Sequence, residues 1–195
     1  MANNKAPLAS DDAPLITSKE DQREQAGDQL IEPQGDTLVG KTVTINRPRA
    51  ELYAFWRDFT NLPRFMENVV SVVRVAEGRT HWTVKAPAGK TVEWISVITE
   101  DRPDEAIAWA SEEGADAPNS GRIDFRDAPG GRGTWITATI LYDPPGGLIG
   151  RAIAKMFQRE PAIQARRDLR RFKQLMETGE IATSARTSLA YEEEV

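Results

Sequence analysis

The chain of 195 residues is 39% hydrophobic and 28% charged with a formal net charge of -5, the composition of an ordinary globular domain built on one core. It has no cysteine and one histidine, His81, which excludes a disulfide framework, a thiolate metal site, a cysteine nucleophile and any multi-histidine centre, so no metal or cofactor is expected. The opening MANNKAPLASDD lacks the basic and apolar stretches of a secretory signal, and no apolar run approaches the roughly 20 residues that cross a bilayer, so a cytoplasmic location is expected.

The charge is unevenly spread. Residues 1–36 hold three Lys/Arg against eight Asp/Glu and residues 180–195 hold one against four, which leaves a net +3 on the stretch between. Both ends are polar and without amphipathic period, and they read as disordered acidic tails that cannot bury enough surface to offset their ordering entropy. The domain itself is expected over residues 37–179.

From Leu38 the pattern becomes an alternation. Val43 and Ile45 fall on every second position of Lys41-Thr42-Val43-Thr44-Ile45, the signature of a half-buried strand. Asn46-Arg47-Pro48 ends it, with Asn46 or Arg47 expected to cap a helix whose first turn takes Pro48. Leu52, Tyr53, Trp56 and Phe59 then recur at helical spacing. A second short helix is expected around Leu62-Pro63-Arg64-Phe65-Met66, capped by Asn61.

Six further strands are predicted at 69–75, 81–86, 92–99, 106–111, 122–126 and 134–142, with turn chemistry between them. Strands this close in sequence pair as antiparallel hairpins, since a parallel crossover needs a dozen residues or more. After Pro144-Pro145-Gly146-Gly147 a helix begins with Leu148, Ile149, Ile153, Met156 and Phe157 on one side. Pro161 interrupts it. Beyond that proline Ala165, Leu169, Phe172 and Met176 resume an apolar face, and Gly179 stands where a C-cap belongs. At roughly 1.5 Å per residue, Pro161 to Thr178 makes about 27 Å of helix. Seven strands about 4.8 Å apart span about 29 Å, so one helix can lie across the whole sheet.

These residues resemble a known family. Ile45-Asn46-Arg47-Pro48, Leu52-Tyr53-Ala54-Phe55-Trp56-Arg57-Asp58-Phe59 and Asn61-Leu62-Pro63-Arg64-Phe65-Met66 are similar to the polyketide cyclase/dehydrase and lipid-transport family of the START and Bet v 1-like superfamily. The likeness continues through Trp82-Thr83-Val84-Lys85-Ala86-Pro87-Ala88-Gly89, Val92-Glu93-Trp94, the Asp124–Thr134 stretch, and Asp168-Leu169-Arg170-Arg171-Phe172. It covers residues 38–180. The resemblance implies an α+β helix-grip fold: a seven-stranded curved antiparallel sheet around a long C-terminal helix, in β-α-α-β6-α order, with an apolar cavity between them. Similar proteins include lipid carriers, aromatic polyketide cyclases and coenzyme Q-binding START-like proteins.

Strand parity gives the face directed at the helix. It carries Trp82, Val84, Val92, Trp94, Ile98, Ile107, Trp109, Ile123, Phe125, Ile136, Ala138, Ile140 and Tyr142. An apolar lining with one or two polar groups suits a small-molecule pocket, and it equally suits a plain core. With the cavity that the resemblance implies, the expected ligand contacts are Trp82, Trp94, Trp109, Phe125, Ile136, Ala138 and Tyr142 from the sheet and Leu169, Phe172 and Met176 from the helix. Wide aromatic rings can wall a hollow, and Tyr offers a hydroxyl.

No catalytic residue is assigned. His81 is the first place to look for acid–base chemistry, yet its parity is that of Thr83 and Lys85 and turns it outward. Asp58, Glu93 and Asp124 have no partner at a catalytic spacing. Gly130-Gly131-Arg132-Gly133 lies between strands with no following helix and reads as a hairpin turn. Arg166, Arg167, Arg170 and Arg171, with Lys173, make the densest basic cluster, which suits either a solvated helix face or transient contact with anionic lipid heads. No aromatic platform is interleaved with it, so nucleic acid is not expected. Ile95, Val97, Trp135 and Leu141 point outward and would form a homodimer face if their strands met.

Three functions fit this pattern: a non-catalytic binder or carrier of an apolar small molecule or lipid, quinone-like molecules included; a cyclase or dehydratase acting in the same cavity; and an accessory interaction protein whose cavity is vestigial.

Overall fold

The computed structural model describes residues 37–86, 89–142 and 161–182, apart from the side chains of residues 37–39, 142 and 161–163. The terminal stretches expected as tails, up to residue 36 and from residue 183, and the helix expected near residues 148–157 lie outside the described residues.

Strand β1 spans Thr37–Ile45 and buries Val43 and Ile45 on one face, as the alternation requires. Helix α1 spans Arg49–Arg57 and buries Leu52 and Trp56. Its cap is Pro48 itself, in extended backbone at φ −62° and ψ 147°, and not Asn46 or Arg47. Those two residues are engaged elsewhere. The Asn46 amide donates to Glu177 Oε1 at 2.6 Å, and Arg47 donates through Nε to Met176 O at 2.7 Å and through Nη2 to Glu177 O at 3.0 Å. They thus close the far end of the C-terminal helix, so α1 starts later.

The second helix is a 3-10 helix, Phe59–Arg64, earlier and tighter than the sequence pattern predicts. Asp58 caps it, accepting from the Thr60 amide at 3.2 Å and from Thr60 Oγ1 at 2.7 Å. Asn61, the expected cap, instead donates from Nδ2 to Phe55 O at 3.1 Å and ties the 3-10 helix back to α1.

The remaining strands are β2 (Val69–Ala76), β3 (Arg79–Lys85), β4 (Thr91–Arg102), β5 (Ala106–Ser111), β6 (Asn119–Asp127) and β7 (Thr134–Tyr142). All neighbours are antiparallel, in the order β1-β7-β6-β5-β4-β3-β2. The two helices carry the chain from one edge to the other, which is why β1 meets the last strand and not the second. Bulges break the register between Val69 and Ser71, between Arg74 and Ala76, and between Ile98 and Glu100, and bulges bend strands. At the β6–β7 turn Gly133 has φ +91°, and a Cβ there would sit 2.1 Å from Ile45 O. Only glycine lets this turn close on β1.

Helix α2 spans Pro161–Thr178, the bounds predicted from sequence, and buries Leu169, Phe172 and Leu175. Gly179 ends it at φ +84°, its amide donating to Leu175 O at 2.9 Å. The β-α-α-β6-α order of a helix-grip fold is therefore observed, the second helix being 3-10. The closest backbone approach of α2 to the sheet is along β1, so it runs beside one edge strand rather than lying equally across all seven.

Candidate functional site

The inner face of the sheet is assembled by register. Val72, Trp82 and Trp94 stand in one row across β2, β3 and β4. Ile98, Trp109, Gly121 and Ile140 make the next across β4 to β7, and Ile107, Ile123 and Ala138 the next after it. Phe125, Ile136 and Val43 complete the face towards β1.

The strand tryptophans form one aromatic wall. Trp82 and Trp94 stack with ring centroids 5.9 Å apart and planes 11° from parallel. Phe59 of the 3-10 helix sets its ring edgewise against Trp82 at 5.8 Å and Trp109 at 5.9 Å. Phe125 meets Tyr53 of α1 edge to face at 5.9 Å. Such aromatic pairs contribute roughly 0.5–1.5 kcal/mol each beyond area burial.

The helix-side residues meet a different set. Phe172 packs on Phe65 at 4.8 Å, Trp56 at 5.0 Å and Phe55 at 5.6 Å. The expected contacts thus divide in two. Trp82, Trp94 and Trp109 gather at Phe59, while Leu169 and Phe172 lie buried against the first two helices, with Met176 partly buried. Phe125, Ile136 and Ala138 are buried on the sheet between β6 and β7. Tyr142 takes its place in the ladder opposite Thr37 and Asn119, and its side chain is outside the described residues.

Polar groups on this side are few and mostly engaged. Trp82 Nε1 donates to Thr80 Oγ1 at 2.9 Å. Trp56 Nε1 is buried with no partner among the described residues. Lys41 has the parity of Val43 and Ile45, stands opposite Ala138, and is half-buried on the inner face. Strand parity could have found it, since it is the third member of the same alternation. Where β4 ends, the Tyr53 hydroxyl donates to Asp101, which also accepts from Arg57 Nε at 2.5 Å. Burial, together with the Asp101 carboxylate, pushes the Tyr53 hydroxyl up to about 12.

On the outer face His81 lies beside Val73 and Ile95, with Nε2 3.4 Å from Glu93 Oε2, the orientation its parity predicts. Ile95 and Val97 on β4 do not meet Trp135 and Leu141 on β7, because β5 and β6 intervene. The apolar face expected for a dimer is thus not assembled from those four. Between them lies a charged strap: Arg122 reaches over Ala108 to Glu100, and its Nε is 2.9 Å from Asp124 Oδ1. The Arg122 guanidinium holds the Glu100 carboxyl below its usual range.

The basic cluster on α2 is partly engaged. Arg171 Nε donates to Phe65 O at 2.9 Å, and Arg167 Nη1 lies 3.5 Å from Glu67 Oε2. Arg166, Arg167 and Arg170 are exposed. Asp168 accepts from Gln164 Nε2 at 2.9 Å and from the Glu67 amide at 3.4 Å, and burial raises its carboxyl to about 6. A cleft of about 360 Å³ beside Thr44, Asn46, Arg132, Lys173 and Glu177 is polar in its lining and stands apart from the aromatic wall. Among the described residues no three His, Asp or Glu side chains gather as metal ligands, and no helix is long and apolar enough to cross a membrane.

This sheet, grip helix and aromatic interior define a helix-grip protein. The chain belongs to the polyketide cyclase/dehydrase and lipid-transport family, whose sequence profile it matches over residues 45–170. It is similar to a solved structure from Deinococcus radiodurans at 42% identity and TM-score 0.60, covering 73% of this chain and 99% of that one. A Thermus thermophilus structure is similar at 25% identity and TM-score 0.57, covering 71% and 95%. The di-domain ARO/CYC BexL from the BE-7585A biosynthetic pathway shares the fold at 18% identity and TM-score 0.51, over 77% of this chain and 51% of that one. An uncharacterized 17.2 kDa protein of Streptomyces lincolnensis is 31% identical over 87 residues, 45% of this chain and 57% of that relative's length.

Proposed function

We propose that this chain holds an apolar small molecule or lipid, quinone-like molecules included, between the sheet and helix α2, and acts as a binder or carrier. The observation that carries this reading is the wall of Trp82, Trp94 and Trp109. Broad ring faces line the inner side of the sheet, and Trp94 is only partly buried there despite its inward register. A flat, partly uncovered indole on the core side is a surface for an apolar ligand. The family's description as lipid transport supports the same reading.

Loading from a bilayer is part of the proposal. Arg166, Arg167 and Arg170 stand exposed on α2, and each cation near an anionic membrane surface contributes about 1 kcal/mol. A second reading, a cyclase or dehydratase, draws on the Tyr53–Asp101–Arg57 group at the inner end of β4. A tyrosine raised to about 12 holds its proton firmly, and the same bonds that raise it occupy Asp101. Binding is therefore the better supported role.

The test is Ala138→Trp, on the inner face where Ala138 is 4% exposed. A hollow accepts the added bulk, so ligand affinity falls while the thermal midpoint stays. A filled core rejects it at a cost of about 1–3 kcal/mol. Strong destabilisation, with no ligand bound by the unmodified protein, contradicts the proposal.

A further inference from the structure

Trp56 Nε1 is the buried side-chain nitrogen that finds no hydrogen-bond acceptor among the described residues. Trp56 is 2% exposed, so solvent does not serve it either. Native interiors seldom leave a buried donor unmet, and such a group calls for an account. The contrast with Trp82 is direct, since that indole nitrogen reaches Thr80 Oγ1 at 2.9 Å. Trp56 is instead enclosed by rings: Phe65 at 5.2 Å from the end of the 3-10 helix, and Phe172 at 5.0 Å and nearly perpendicular from α2.

The inner face holds a second polar group of the same kind. Lys41, half-buried opposite Ala138, makes no hydrogen bond or ion pair with another described residue. An ammonium and an indole N–H only donate. The polarity missing from this interior is therefore that of an acceptor, and in apolar surroundings a donor–acceptor contact gains strength.

We infer that the ligand is an apolar molecule bearing a carbonyl oxygen, and that Trp56 Nε1 donates a hydrogen bond to that oxygen. The inference rests on the binding role proposed above and narrows it to a ligand class. It separates hydrocarbon-like occupants, which leave the donor unmet, from ketones, esters and quinone-like molecules, which satisfy it. Phe65 and Phe172 come from different elements, so a small parting of α2 from the 3-10 helix admits the carbonyl without breaking a strand.

The probes are 2-undecanone and undecane, equal in chain length and different in one oxygen. The full chain labelled with 15N gives five indole N–H signals, one for each tryptophan, with Trp56 identified by its loss in Trp56→Phe. On adding the ketone the Trp56 signal moves downfield and the Trp82 signal stays, because its hydrogen bond is already made. Undecane leaves the Trp56 proton where it was. Trp56→Phe lowers ketone affinity about tenfold and changes undecane affinity less than about twofold.

If both probes bind and the Trp56 signal ignores the ketone, the carbonyl inference is overturned while the binding role stands; an N–H directed at the Phe172 ring would give that result. If neither probe binds, both are overturned. The signal on the unmodified protein keeps the test decisive even if Trp56→Phe fails to fold, the assignment then coming from sequential backbone correlations.

Discussion

Trp109 on β5 and Gly121 on β6 stand opposite each other in the ladder, and the indole occupies the space that a side chain at position 121 would need. A Cβ there would come within 2.3 Å of Trp109 Cζ2, with two further ring atoms at 2.7 Å. Gly121 is thus required by close approach and not by backbone angle. It lets a large ring lie across a neighbouring strand and face Phe59.

Gly121→Ala should therefore destabilise the protein by about 1–3 kcal/mol, the usual cost of forcing bulk into a packed site. Trp109→Phe in the same chain should recover part of the loss, since the smaller ring withdraws from the clash. Urea denaturation of the two single variants and the double variant measures this. Additive losses would mean that the two residues do not press on each other.

Arg122 makes a second prediction, on the outer face. It is 5% exposed and bonded to Glu100 and Asp124. Removing one member of a buried charge group leaves the others unpaired, so Arg122→Ala should cost about 3–5 kcal/mol. Arg122→Met with Glu100→Gln should cost less than Arg122→Ala alone. Because Glu100 is held low in the folded state, its contribution is present above its ordinary value near 4.5 and is lost as pH falls through the depressed folded value. Denaturation of the unmodified chain and of Arg122→Met at pH 7 and pH 3 should show that loss in the first only.

Asp168 predicts the opposite sign. Burial raises its carboxyl from 3.8 to about 6, so the folded chain binds a proton more tightly than the unfolded one. Its charged form penalises the fold above pH 6, and the penalty fades as pH falls towards 3.8. Asp168→Asn keeps an oxygen to accept from Gln164 or the Glu67 amide and removes the charge. The variant's thermal midpoint should exceed that of the unmodified chain most above pH 6, and the gap should close near pH 4. A gap independent of pH would mean that Asp168 acts through hydrogen bonding alone.

Much of the fold was legible because it rests on short-range rules. Alternation marked β1 from Val43 and Ile45, and Pro161 and Gly179 marked the ends of α2. Parity placed Trp82, Trp94 and Trp109 on the inner face and His81 on the outer. What was not legible depends on contacts far apart in sequence. Asn46 and Arg47 look like helix caps locally, yet they are drawn away by Glu177 and Met176. Phe172 was expected to face the strand tryptophans, and it meets Phe55, Trp56 and Phe65 because the first two helices stand between. The unmet Trp56 donor has no sequence signal at all, since an indole at that helical position reads as ordinary core.

The most direct measurement is native mass spectrometry of the full chain as purified from its own host, followed by solvent extraction. The account predicts a non-covalent adduct that organic solvent removes, apolar in its chromatography and with a carbonyl absorption in its infrared spectrum. Adding it back should shift the fluorescence of the tryptophan wall. A bare chain mass, together with no fluorescence change on titration with 2-undecanone or undecane, would contradict the binding role.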